Sequence, residues 1–220
     1  MMTEPDVTLT DYVLTLECIF FACCLWKASP KNEKISLFRK YAISFFLSIS
    51  IASLTGGTVH GFFLDESSFG YRILWPSTLI SIGAAAWASW CLSFYLLFPP
   101  HMFQTMKLLA TVGFALYSFV ILFITQIFFV AIINYLPAVV FLFVVLLILY
   151  HRSREPRLWF GLSGLIFLLV APFVQQLQIS LHPLYFNHNA FYHLLQGIAF
   201  FLIYVWCVRW FTLPQMKETL

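Results

Sequence analysis

The chain has 220 residues, 61% hydrophobic and 10% charged, with a formal net charge of +3. A water-soluble domain carries roughly a quarter of its residues as charges, so this composition excludes a soluble globule. The basic residues lie in short clusters between apolar runs, a pattern that sets membrane topology and does not build a nucleic-acid surface.

The first residues, MMTEPD, are acidic, and no small-residue cleavage site follows. A signal peptide has a basic start, so the first apolar run, 9–27, reads as a retained helix; it contains Glu17. The second run, 36–63, ends in Gly56, Gly57, His60 and Gly61, and Asp65 and Glu66 follow in a loop. The third, 71–97, holds Pro76 and the small stretch Ser81, Gly83, Ala84, Ala85 and Ala86. Leu108 to Tyr150 is almost continuously apolar and about twice the length of one span. It therefore divides into 104–125 and 127–150, with the break near Gln126. Both halves read as almost wholly apolar. The sixth run, 157–180, holds Pro172 and ends in Gln175, Gln176 and Gln178; the seventh, 189–211, opens with Asn189, His193 and Gln196. His182 and His188 lie between them.

The expected architecture is all-α: one domain over 1–220, a bundle of seven transmembrane helices. Eleven of the twelve Lys and Arg residues fall on one side of such a bundle, and Arg72 alone on the other. The positive-inside rule then predicts the N-terminus outside and the C-terminus in the cytoplasm, in a bacterial inner membrane or an endoplasmic reticulum. Trp26, Trp75, Trp159 and Trp210 lie near span ends, where indole rings settle at headgroups. The five cysteines all sit in apolar runs, with no C-x-x-C, which argues against a disulfide framework or a thiolate zinc site.

Polar residues at membrane depth are functional candidates by default, and here they collect toward the outer side. Asn189, His193 and Gln196, spaced by four and three, share one helix face. His188 stands five residues from His193, about 140° around an ideal helix. Neutral imidazoles of His60 and His193 can bind zinc, with a third ligand from His188, His182, Asp65 or Asn189. Glu17 or Asp65 can orient a ligand or move a proton. Gln175, Gln176, Asn189 and Gln196 complete a polar pocket. The alternative is that these groups hydrogen-bond one another and fix helix packing.

An acidic residue in span one, a histidine late in span two and a histidine-bearing motif opening span seven resemble the seven-helix superfamily of alkaline ceramidases and progestin and adiponectin receptors. In that family span seven opens with H-x-x-x-H and span two carries S-x-x-x-H. Here Asn189 takes the first histidine's place and Gly56 that of the serine. The resemblance implies zinc held by His60, His193 and His188, with a zinc-bound water attacking a lipid amide or ester. Glu17 would orient a ligand or transfer the proton. Two other functions remain open: a metal-free, receptor-like lipid-binding protein of the same fold, and a small transporter.

Overall fold

The computed structural model describes residues 2–28, 33–182 and 185–211. Its helices are α1 (Pro5–Lys27), α2 (Glu33–Phe62), α3 (Phe69–Leu97), α4 (Pro100–Phe123), α5 (Phe128–Ser153), α6 (Leu158–Gln176) and α7 (His188–Phe211). All seven are long and apolar enough to cross a membrane. The chain is an integral membrane protein built as a seven-helix bundle.

Helix boundaries follow local chemistry. Pro5 and Pro100 occupy first-turn positions, where the missing N–H costs nothing. Ser68 caps α3 by accepting from the Tyr71 amide at 3.2 Å. Asn187 Oδ1 caps α7, accepting from the amides of Asn189 and Ala190 at 2.9 and 3.0 Å, as short polar side chains do at helix starts. Residues 124–127 separate α4 from α5, as the long apolar run required, and the Trp75 indole donates to the Gln126 carbonyl there at 2.9 Å. Helix α6 stops at Gln176, four residues short of the expected 180, because Gln178 turns into the left-handed region at φ 53°. Pro76, Pro137 and Pro172 all lie inside helices.

Consecutive helices alternate in direction. The starts of α1, α3, α5 and α7 share one face, called here the N-terminal face, with the ends of α2, α4 and α6. The opposite face carries Lys27, Arg39, Lys40, Lys107, Arg152, Arg154, Arg157 and Arg209; Lys31 and Lys217 lie outside the described residues. Arg39 closes the end of α1 onto α2 by donating to the carbonyls of Trp26 and Ala28. Six helices form a ring in the order α1, α2, α3, α5, α6, α7, and α4 packs outside it, chiefly against α3.

The two halves of the ring differ. Toward the basic face it is filled with aromatic rings: Phe21 stacks on Tyr204 at 4.3 Å, and Phe38 meets Trp206 edge-on at 5.4 Å. Such pairs add to burial through their quadrupoles. Toward the N-terminal face the ring is hollow.

Candidate functional site

The hollow is a cavity of about 310 Å³. Its long walls are apolar, from Ile49 and Ala52 on α2, Ile82 on α3, Ala131 and Val139 on α5 and Leu168 on α6. Its polar end gathers Asp11, His60, Gln175, Asn189, His193 and Gln196.

Each polar group is held by a partner on another helix or by its own helix. His193 Nδ1 lies 3.1 Å from the Thr10 hydroxyl, and its Nε2 lies 3.5 Å from Asp11 Oδ1. This joins the first helix to the last. His60 Nδ1 lies 2.5 Å from Glu4 Oε2, joining α2 to the residue just before α1. Gln175 donates to Asn189 Oδ1 at 3.0 Å, joining α6 to α7. Gln196 donates to the Tyr192 hydroxyl at 2.7 Å, one turn away on α7. Asp6 Oδ2 accepts from the Asn187 amide at 3.0 Å, which fastens the start of α7 to the start of α1.

Two glycines let α1 come close enough for this. A Cβ on Gly57 would stand 2.6 Å from the Asp11 Cβ, and one on Gly61 would stand 2.9 Å from the Thr8 hydroxyl oxygen. The close approach of α2 therefore seats Asp11, 5% exposed, at the cavity wall. The Tyr135 hydroxyl of α5 also reaches this cavity, buried and without a hydrogen-bond partner.

The predicted residues divide accordingly. His60, His193, Asn189, Gln175 and Gln196 are brought together around one cavity. The expected hydrogen bonding among them is present, yet they still present polar atoms to a hollow. His188 is half-buried and stands outside the cavity lining, as its angular offset from His193 implies; Gln176 is exposed. Glu17 also lies off the cavity, with Oε2 3.2 Å from where a Cβ on Gly197 would be. Asp65 sits in the exposed α2–α3 loop and accepts from the Ser67 amide and hydroxyl at 2.9 and 2.8 Å. Those two bonds hold its carboxyl below the ordinary carboxylate range. It is a turn residue, remote from the cavity lining. Sequence reasoning missed Asp11, Tyr135 and Thr10.

The chain belongs to DUF6962. The model of that family, described as a family of unknown function, matches residues 7–209. This range covers all of α2 to α6, nearly all of α1 and α7, and every cavity residue named above. No curated protein and no solved structure matches the chain.

The described residues do not group the three ligands that the zinc ion implied by the resemblance would need. A catalytic zinc needs three protein ligands. Nδ1 of His60 and of His193 is held by Glu4 and Thr10, which leaves Nε2 as the only ring nitrogen each could offer a metal. The remaining ring nitrogen of His193 faces Asp11 at 3.5 Å, and the Asn189 carbonyl oxygen is taken by Gln175. Among the described residues, no three His, Cys, Asp or Glu side chains are placed to share a metal ion.

Proposed function

We propose that this protein binds a single-chain amphiphile in the ring cavity, with the polar head among Asp11, His60, His193 and Asn189 and the chain along the apolar walls. One observation carries the reading: a single cavity of about 310 Å³ has a polar end and an apolar body. Ligand pockets combine an apolar lining with a few placed polar groups in this way. The head lies toward the N-terminal face; the charge bias favours the non-cytoplasmic side for that face, which supports a ligand from the outer leaflet or beyond.

The local charge narrows the head. Glu4 beside His60 and Asp6 against the start of α7 supply two carboxylates, and Asp11 adds a buried carboxyl group beside His193. Arg72 is the basic residue of that face; it is exposed and is not part of the cavity lining. A phosphate head meets repulsion there, whereas an amide or hydroxyl head finds both donors and acceptors. The expected ligand is a neutral N-acyl or monoacyl lipid. Native mass spectrometry tests this: N-lauroyl ethanolamine forms a one-to-one adduct, and lauroyl lysophosphatidic acid does not. Equal adducts with both would overturn the choice of head.

A second reading is hydrolysis of a lipid amide or ester, as the family resemblance implies. The observation in its favour is the Asp11–His193 pair at the polar end of an acyl-sized cavity, where a carbonyl next to the head would lie. Release of laurate from N-lauroyl ethanolamine, abolished by His193→Ala, is its test. Transport is not proposed, because the polar groups stop where the aromatic packing of the basic half begins.

A further inference from the structure

A second cavity, of about 250 Å³, lies outside the ring between α3, α4 and α5. At one end stands Asn134, whose side-chain nitrogen is buried and has no hydrogen-bond partner. An amide donor left unpaired in an apolar setting is unfavourable, and in hydrocarbon the lost bond cannot be recovered from bulk water. The cavity offers little to a water molecule, which needs two to four polar partners; the nearby Trp87 indole N–H is already given to Thr111 at 3.0 Å.

The depth of Asn134 limits what can accept from it. Helices α3 and α5 run parallel, in a register set by Trp75 against Phe128 at 6.1 Å and Trp90 against Phe141 at 5.1 Å. Asn134 is thus level with residues 81–83, the middle of α3. That helix is 29 residues, about 43 Å, and overspans a hydrocarbon core of about 30 Å. The amide therefore lies near the bilayer midplane, roughly 15 Å from either edge of that core, out of reach of phospholipid ester groups. Its partner must be an uncharged lipid whose oxygen resides inside the hydrocarbon.

The walls beside Asn134 indicate shape. Gly83 and Ala86 on α3 face Ala110 and Gly113 on α4, and a Cβ on Gly113 would meet nothing within 4 Å. The Tyr117 and Phe114 rings close over Gly83, so the open part of the gap lies between Ala86, Ala110 and Gly113, and the flat rings of Trp87, Trp90, Phe94 and Phe114 bound it as a slot. Because α4 packs on α3 from outside the ring, the slot is separate from the ring cavity.

We infer that this slot binds an isoprenoid-quinone-type lipid, its flat ring between α3 and α4 and a ring carbonyl accepting from the Asn134 amide. This site is separate from the ring cavity and does not depend on what that cavity holds.

Decylubiquinone in detergent, followed by quenching of tryptophan fluorescence, is the probe, since Trp87 and Trp90 line the slot. Saturable quenching at one quinone per chain is expected. Asn134→Leu should weaken it tenfold or more, and Gly113→Leu, which fills open space without a clash, should do the same. His193→Ala should leave it unchanged, and all three variants should elute like the parent on size exclusion. Quenching that is non-saturable or equal in all variants would overturn the inference. So would loss in His193→Ala, which assigns the quinone to the ring cavity. A parental dimer that Gly113→Leu dissociates would also overturn it, because the slot would then be an interface between copies of the chain.

Discussion

His193 Nε2 lies 3.5 Å from Asp11 Oδ1, and this contact ties the last helix of the chain to the first at the wall of the ring cavity. Both side chains are largely withdrawn from solvent, at 12% and 8% exposure. They also line the same hollow, so a ligand bound there as proposed would meet them as a unit. Asp11→Ala and His193→Ala should each weaken N-lauroyl ethanolamine binding by about tenfold, about 1.4 kcal/mol. The double variant should lose little more than either single one, because residues in contact couple by 0.5–3 kcal/mol. Additive losses in this double-mutant cycle would show that the two residues contact the ligand independently.

Gly57 makes that arrangement possible, since any Cβ there meets the Cβ of Asp11. The contact is between backbone-anchored atoms and not the end of a flexible chain, so α1 must move. Gly57→Ala should destabilise the protein by about 1–3 kcal/mol, the usual cost of overpacking, and also weaken binding. Gly113→Ala is the control of equal chemistry; its surroundings are open, so it should keep or slightly raise the melting temperature in detergent, Ala being the better helix former. Equal melting temperatures for the two variants would remove Gly57 from its role.

Much of the fold was legible because hydrocarbon imposes length and apolarity on every span. The break near Gln126 and the Asn189–His193–Gln196 face followed from span length and helical spacing alone. The acidic partner was misplaced, although the signal was present. Val7, Asp11, Leu14, Cys18, Phe21 and Leu25 repeat at four and three and are all buried, so α1 packs along this seam. Asp11 belongs to it, whereas Glu17 stands one residue off. Depth in the span drew attention to Glu17, but the seam decides which carboxylate faces the core. Asn134 and Tyr135 were passed over for the opposite reason: two polar residues in an apolar run leave no periodic trace, and they point to different cavities.

A direct consequence concerns the residues outside the cavity. Glu17→Gln and Asp65→Asn should each bind N-lauroyl ethanolamine within about twofold of the parent, well under 1.4 kcal/mol. The Asp65 carboxyl is held below its ordinary range by Ser67. Its support of the α2–α3 turn is therefore complete above the unfolded value and is lost as pH falls through the lowered folded one. Binding at neutral pH is untouched by this titration. A tenfold loss in either variant would return that carboxylate to the site.

The charge asymmetry between the two faces gives a topology prediction. Green fluorescent protein fused after residue 220 should fluoresce, and alkaline phosphatase at the same point should be inactive, as a cytoplasmic C-terminus requires. The reverse pattern would place the cavity mouth on the cytoplasmic side and change the source of its ligand.

The most direct test of a metal-free amphiphile site is native mass spectrometry of the detergent-purified protein with N-lauroyl ethanolamine, run with a chelator and again with added zinc. A metal-free site predicts a one-to-one adduct of equal abundance in both conditions, with no zinc carried by the protein, and about tenfold weaker binding in His193→Ala. An adduct that forms only with zinc, at one ion per chain and abolished in a folded His60→Ala/His193→Ala variant, would contradict it and restore the metal-dependent hydrolase.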